Sequence, residues 1–419
     1  MSNTTLTASI IAKESVMILE NELIAAKKVF RGYEGEFDKS INGYKVGDTI
    51  TIRKPTDFTV RDGAVLSAQD VTEGSTTIVV NKRKGVDFAF SSQDLTLKIS
   101  ELSERVIEPA MIQLANQIDR DLMALYYNVP NHVTIPSGGI NSFDDFGLAA
   151  KRMDLIGIPD SDRYAVLTPT DTWALLGSQT ALYMQDVAKG AYREAKLGRI
   201  GGIDTYTSRN YATHTTGART GTDLTDFTGQ TYLLGHTWAT VKDSTAVTIH
   251  IDGAASDTAN YWKAGDTFTI ADLYDVNPVT KARLPHLKMF TVMAAATTAS
   301  NEADVTIWPP IIVSGAQQTC DLSTGTLEDN VVTYQGVAST AYDQNLFFHK
   351  NAFGLVMVPM VAPPGAAEVG RQSYKGLSVR VIPYYDGTND ESSWRLDVLY
   401  GTKCIDPRLA VRASLAADI

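Results

Sequence analysis

Four carboxylates, Asp272, Asp275, Glu302 and Asp304, fall close together in a 419-residue chain. Two chemistries use such groups: oxygen ligation of a hard cation such as Ca2+, and cleavage of a glycosidic bond by a carboxyl pair. The D-x-D/N-x-D/N-G loop that would wrap calcium is missing, and short acidic loops are ordinarily solvated, so these four predict neither a metal nor a catalytic pair. His132, His214, His236, His250, His286 and His349 stand singly, with no two spaced to share a helix face as ligands, and the sequence assigns them no role. Cys320 and Cys404 belong to no C-x-x-C pair and read as buried free thiols. H-E-x-x-H, G-x-S-x-G and G-x-x-x-x-G-K-S/T are absent. The expectation is a protein without catalytic, metal or cofactor site, and not an enzyme.

One concentration of positive charge stands out. Arg53, Lys54, Arg61, Lys82, Arg83 and Lys84 flank a polar excursion between two strand-like runs. Phosphate binding is one use of such charge. These residues, however, fall on opposite arms of a hairpin, interleaved with acidic and aromatic neighbours, on a chain of formal net charge −11. The pattern fits an acidic neighbouring subunit better, and the six are the predicted intersubunit contacts.

The elements that position these residues are legible from periodicity. Ile11, Val16, Leu19, Leu23 and Ile24, with charged residues between them, predict an amphipathic helix within 8–30, either an exposed arm or a docked first helix. Ile50 and Ile52, then Val86, Phe88 and Phe90, alternate with polar or small residues and predict two strands that pair as the arms of a long hairpin. An apolar stripe from Leu95 through Leu102, Met111, Leu114 and Ile118 to Leu125 makes 91–127 the longest helix, opened at Ser91 and Asp94 and bent at Pro109. Ser142 and Asp145 open a further helix, 163–167 reads as a strand, and Thr168-Pro169 opens another helix.

Between 221 and 339 helical periodicity vanishes, and thirteen acidic residues face five basic ones. Short runs at 247–251, 267–270, 289–292 and 305–308, separated by Asp252-Gly253, Gly265-Asp266 and Asn277-Pro278, predict a small acidic β module, a barrel. Strands at 353–361, 377–384 and 394–400 follow, the last two facing each other across Asp386-Gly387. The module therefore reads as inserted into a parent domain that resumes after it. No apolar run approaches the ~18 residues of a membrane span, and Met1-Ser2-Asn3-Thr4-Thr5 lacks the basic start of a signal peptide, so folding in a reducing cytoplasm is expected.

Particular runs, taken in order, are similar to a known family. They are Ser91-Ser92-Gln93-Asp94-Leu95-Thr96-Leu97 with Ile107-Glu108-Pro109-Ala110, then Gly198-Arg199-Ile200-Gly201-Gly202-Ile203-Asp204, which is read as a tight turn into a strand. Lys263-Ala264-Gly265-Asp266-Thr267-Phe268-Thr269-Ile270, Tyr400-Gly401-Thr402 and Asp406-Pro407-Arg408 complete the set. The chain resembles the major coat proteins of tailed bacteriophages with an HK97-like fold, and among them the phage P-22 group, which carries an extra β-barrel domain.

The resemblance implies an α+β capsid fold: an N-terminal arm at 1–45, an E-loop hairpin at 46–90, a spine helix, peripheral domain and start of the axial domain at 91–221, an inserted β-barrel domain at 222–338, and the rest of the axial domain at 339–419. It implies self-assembly through pentamers and hexamers into an icosahedral shell around double-stranded DNA bound without sequence specificity. Scaffolding protein and portal are the implied partners, with no cofactor and no membrane; the location is the virion capsid, after assembly in the host cytoplasm. In the P-22 group the insertion carries a long acidic loop that bridges capsomers, and the matching region here, around 241–257, is shorter. Two other readings stay open: an encapsulin-like compartment shell on the same fold, and a β-rich enzyme working through Asp272, Asp275 or Glu302.

Overall fold

A computed structural model describes residues 8–33, 40–41, 44–45, 48–54, 58, 60–61, 63–66, 68, 74–91, 106–136, 138–180, 197–226, 247–255, 257–323, 327, 329–363 and 369–415. The described chain is α+β and divides into two compact units. The first comprises Met1–Thr51, Thr77–Leu122 and Phe353–Lys403; the second comprises Ile52–Thr76, Met123–Ala352 and Cys404–Ile419.

In the first unit the helix Ala8–Glu22 places Ala8, Ile11, Ala12, Val16 and Leu19 on one stripe, all buried. That stripe packs on the strands Gly370–Tyr374 and Leu377–Asp386, so the first helix is docked. A Cβ on residue 370 would lie 2.0 Å from the Ala8 carbonyl oxygen, which only Gly370 avoids. The chain then tightens into a 3-10 turn, Ala25–Lys27. The amides of Ile24 and Ala26 donate at 2.8 and 2.9 Å to the carboxylate of Asp119, which stands on the helix Glu108–Met123. That carboxylate supplies partners that a helix end otherwise lacks.

The strand Lys82–Ser91 corrects one expectation. It does not pair with Thr49–Arg53; it lies antiparallel to Glu391–Cys404, with Val86 opposite Leu396 and Phe88 opposite Trp394. Thr49–Arg53 pairs with Ser75–Val79, flanked by bonds from Lys54 N–H to Gly74 O and from Val80 N–H to Asp48 O, both 2.8 Å. Period two reveals which face of a strand is buried and says nothing about its neighbour. A ten-residue strand finds its longer run of cross-strand apolar pairs on Glu391–Cys404. The closing hairpin also differs, because Asp386 pairs directly with Glu391 and the turn is residues 387–390.

The described part of the long helix is Glu108–Met123, preceded by a π-type turn at 106–107, and Pro109 is its second residue. The expected helix start is corrected at Ser91, which ends the strand Lys82–Ser91 opposite Glu391; Asp94, Val46-Gly47, His236 and residues 241–246 and 256 of the acidic loop expected at 241–257 lie outside the described residues, while Val247–Ala254 is a strand.

In the second unit seven strands form a parent sheet in the order His132–Ile135, Ala410–Leu415, Ala341–His349, Arg163–Leu167, Ile203–Thr207, Arg199–Ile200, with Ala212–Thr215 also on Ala341–His349. Phe146, Met153, Leu175, Phe347 and Val411 form its core together with the helices Phe143–Leu155 and Pro169–Thr180. Both helices start as the sequence predicts: Ser142 Oγ accepts the Asp145 N–H at 3.1 Å, and Thr168 Oγ1 accepts the Asp171 N–H at 3.2 Å. Gly201 and Gly202, at φ 54° and 83°, make the tight left-handed turn expected between 199 and 204.

The same unit holds the β module. Gly221–Thr225, Val247–Ala254, Ala303–Trp308, Arg283–Val292, Thr267–Val276 and Val332–Tyr334 are neighbours in that order, and a bridge between Leu224 and Val331 joins the last to the first. The ring closes into a barrel, and a seventh strand, Cys320–Leu322, pairs with Thr267–Val276 beside Val332–Tyr334. Tyr261, Trp262, Phe268 and Phe290 fill its interior. Cys320 is a buried thiol there, outside any disulfide, its pKa pushed up to about 11 by burial; Cys404 is also buried and outside any disulfide.

Candidate functional site

The barrel departs from the parent sheet between two strands that are themselves paired: Thr215 lies opposite Ala341. Where it returns against that sheet, three consecutive barrel residues are each hydrogen-bonded to a different parent strand. The Gly265 carbonyl accepts from Arg412 Nη2 at 2.5 Å, Asp266 Oδ1 accepts from His214 Nε2 at 2.9 Å, and Thr267 Oγ1 shares a 2.7 Å bond with His132 Nδ1. The other nitrogen of His132 meets Ser414 Oγ at 2.6 Å. A carboxylate can only accept, so His214 carries its hydrogen on Nε2 and takes the Tyr126 hydroxyl proton at Nδ1, 3.0 Å away.

Asp266 is the hub of this joint. It is 1% exposed and also accepts the backbone N–H groups of Lys263 at 2.8 Å and Gly217 at 3.2 Å, while Arg219 Nη1 stands 3.9 Å away. Burial disfavours its charge, yet the His214 hydrogen bond and the Arg219 charge outweigh burial and hold its pKa below the ordinary value. Arg412, also 1% exposed, has its pKa brought down to about 10 by burial, and its Nε and Nη1 lack hydrogen-bond partners among the described residues. Burial, with the charges of Arg412, His214 and Arg152 behind it, drives the His132 pKa well below its usual value and keeps the ring neutral. A second group of contacts lies nearby in the chain: Asp275 pairs with Lys288 at 2.7 Å and His286 at 3.3 Å, and Thr291 Oγ1 donates to the Tyr127 carbonyl at 2.8 Å.

His132 and His214 are thus structural groups that singleton histidines could not reveal, because their partners lie 135 and 52 positions away. One signal was present. Gly265 adopts φ +95°, and a Cβ there would meet Tyr127 Cβ at 3.1 Å and the His214 ring at 3.3 Å, so the glycine in Gly265-Asp266-Thr267 marks a close approach.

The four carboxylates do not converge on one another. Asp275 belongs to the group with Lys288, Asp272 accepts from Ser323 at 2.9 Å, and Asp304 and Glu302 bracket His250 at 2.9 and 3.5 Å. No group of three or more potential metal ligands occurs among the described residues. No helix among them is long and apolar enough to cross a membrane.

The six basic residues separate into different environments. Lys82 pairs with Asp121 at 3.1 Å, and Arg83 with Asp397 at 3.0 Å, both within their own chain. Lys54 is buried, and its charge acts on Asp406. Arg61 donates to the Gly63 carbonyl and, at 2.8 Å, to that of Val65. Arg53 is exposed; Lys84 is exposed and makes no ion pair among the described residues. Between the hairpin strands, Phe58, Val60, Val65 and Leu66 are 53%, 97%, 83% and 83% exposed.

Comparison with known proteins places these features in context. The family model described as "P22 coat protein - gene protein 5" matches residues 1–412. A major capsid protein of Acyrthosiphon pisum secondary endosymbiont phage 1 is 22% identical over 421 residues, 96% of each chain. Among solved structures, a chain of Mycobacterium phage Che8 is 14% identical with a TM-score of 0.49, covering 93% of this chain and 90% of that one. The asymmetric unit of the bacteriophage PhiM1 mature capsid is 10% identical with a TM-score of 0.44, covering 88% and 82%.

Proposed function

The chain belongs to the P22 coat protein family, and from that premise we propose how it works as the major capsid protein of a phage. Copies of the chain associate, through pentamers and hexamers, into the closed icosahedral shell of the virion. The observation that carries this reading is the loop of the hairpin, where Phe58, Val60, Val65 and Leu66 stand in water on a segment too short to bury them itself. Such a segment gains its stabilisation on a neighbouring copy, and repeated contacts of one kind between identical subunits close a shell. Arg53 adds steering charge at this hairpin and Lys84 on the strand Lys82–Ser91; Lys54, Arg61, Lys82 and Arg83 make contacts within the subunit.

We assign 222–338 to the inserted domain, with 1–45, 46–90, 91–221 and 339–419 as arm, hairpin, spine with peripheral domain, and returning axial domain. Scaffolding protein and portal are the expected partners, and assembly takes place in the host cytoplasm. The packaged double-stranded DNA is held without sequence-specific contacts, and a subunit of net charge −11 suits a wall that does not adsorb it. The subunit performs no catalysis in this role.

Electron microscopy and sedimentation of the purified protein, expressed alone and with its neighbouring genes, test the reading. Closed particles or tubes are expected, and Val65→Asp with Leu66→Asp should leave a folded monomer that does not form them. Unimpaired particles from the double variant would remove the hairpin from the mechanism, and a persistent monomer of the wild type under both conditions would remove the shell.

A further inference from the structure

The joint between barrel and parent sheet gathers more positive charge than its single central carboxylate can hold. His132, from the strand His132–Ile135, is hydrogen-bonded to both sides at once, to Thr267 of the barrel and Ser414 of the parent sheet. The charges of Arg412 from Ala410–Leu415 and Arg152 from the helix Phe143–Leu155 act on it, as would that of His214 from Ala212–Thr215; Arg412 and His214 bond the neighbouring Gly265 and Asp266. The anionic side is thin: Asp266 serves His214 and Arg219, Asp275 lies toward Arg152, and Asp223 answers Arg219 while accepting the Tyr261 hydroxyl at 2.7 Å. At neutral pH the two imidazoles are uncharged and the arrangement holds. Two added protons would set His132 and His214 beside Arg412, Arg219 and Arg152 in a space closed to water, where like charges repel strongly.

We propose that this joint is an acid-operated latch: protonation of His132 and His214 releases the inserted barrel from the parent sheet while each remains folded. The geometry supports local release. The barrel is a closed ring with its own apolar core, and the parent sheet stays paired through Thr215 and Ala341 without it. Asp223, whose carboxyl burial raises to about 6, loses its charge over the same interval and leaves Arg219 less well countered. Asp266 keeps its charge to lower pH and so is not the trigger.

Hydrogen exchange of the purified full-length subunit at pH 7.5 and 5.0 tests the latch, with the strand Leu377–Asp386 of the other unit as an internal reference for the pH dependence of intrinsic rates. The amide of Gly217, which donates to Asp266, and the loop 263–266 should lose protection about tenfold relative to that reference at the lower pH, while 410–415 stays protected, as expected for a sub-global opening. His132→Gln keeps hydrogen-bonding groups without the titration and should lose markedly less. Unchanged relative protection in the wild type, or an equal loss in the variant, overturns the proposal. Histidine-labelled wild type gives a reading that needs no variant: ring-carbon NMR shifts showing neutral His132 and His214 in an opened joint would overturn it equally.

Discussion

Thr267 and His132, each the first residue of its strand and 135 positions apart in the chain, are joined side chain to side chain at 2.7 Å. The barrel is therefore fixed against the parent sheet at a defined register, by polar groups whose partners are buried with them. Apolar surfaces alone would tolerate sliding, whereas unmatched buried polar groups penalise every other alignment.

The Asp266 hub should be costly to neutralise. Asp266→Asn keeps one accepting oxygen but turns the other, which takes the Lys263 and Gly217 amides, into a donor, and leaves Arg219 and Arg412 buried with less counter-charge; a loss of about 3–5 kcal/mol is expected. Urea unfolding followed by tryptophan fluorescence measures it. A loss below about 1 kcal/mol, the range of exposed pairs, would show that the buried charges are balanced in another way.

Asp397 should give the first unit an acid limb. Arg380, Arg395 and Arg83 donate to it at 2.6, 2.9 and 3.0 Å, and these bonds outweigh burial and hold its pKa below 3.8. The unfolded chain therefore binds this proton more readily, so the contribution is complete above about pH 4 and is lost as pH falls through the depressed value. Asp397→Asn should cost roughly 2–3 kcal/mol at pH 7, tempered because Arg83 and Arg395 are half-exposed. It should also flatten the decline in melting temperature between pH 4 and 2; an unaltered decline would assign the acid limb to other carboxylates.

Two glycines should respond in opposite directions. A Cβ at Gly217 would lie 2.0 Å from the Tyr261 carbonyl oxygen, so Gly217→Ala should destabilise by about 3 kcal/mol. At Gly177, inside the helix Pro169–Thr180, a Cβ meets nothing within 4 Å, and Gly177→Ala should stabilise by up to about 1 kcal/mol. Parallel thermal melts decide both; a tolerated Gly217→Ala would mean the barrel's approach to the Gly217 segment is looser than described.

Adjacent cations on the strand Lys82–Ser91 should separate folding from assembly. Arg83→Glu places a carboxylate beside Asp397 and should lower the melting temperature of the subunit. Lys84→Glu, at an exposed position with no ion pair among the described residues, should change stability by less than about 0.5 kcal/mol while reducing particle yield. Normal yield from Lys84→Glu would withdraw that residue from the intersubunit contact.

Local signals were read well where chemistry and geometry coincide within a few residues. Ser142 with Asp145, Thr168-Pro169, and Gly201-Gly202 each predicted the turn or helix start that is found, because the interacting groups are chain neighbours. The strand Lys82–Ser91 was legible as a strand but not in its pairing, since alternation carries no information about a partner three hundred residues away. The joint failed to register for the same reason. His132, His214 and Arg412 are ordinary residues in ordinary strands until the fold brings Gly265-Asp266-Thr267 beside them.

The pairing of Thr215 with Ala341 means that the whole barrel occupies the place of a hairpin turn. A short loop could reconnect those two strands, so a module of this kind is a graft that an ancestral sheet could accept without rethreading. Its removal today would uncover Arg412, His132 and His214, which reach across to it. Host and graft thus share buried polar groups, so parting them exposes charge on the older sheet without unpairing its strands.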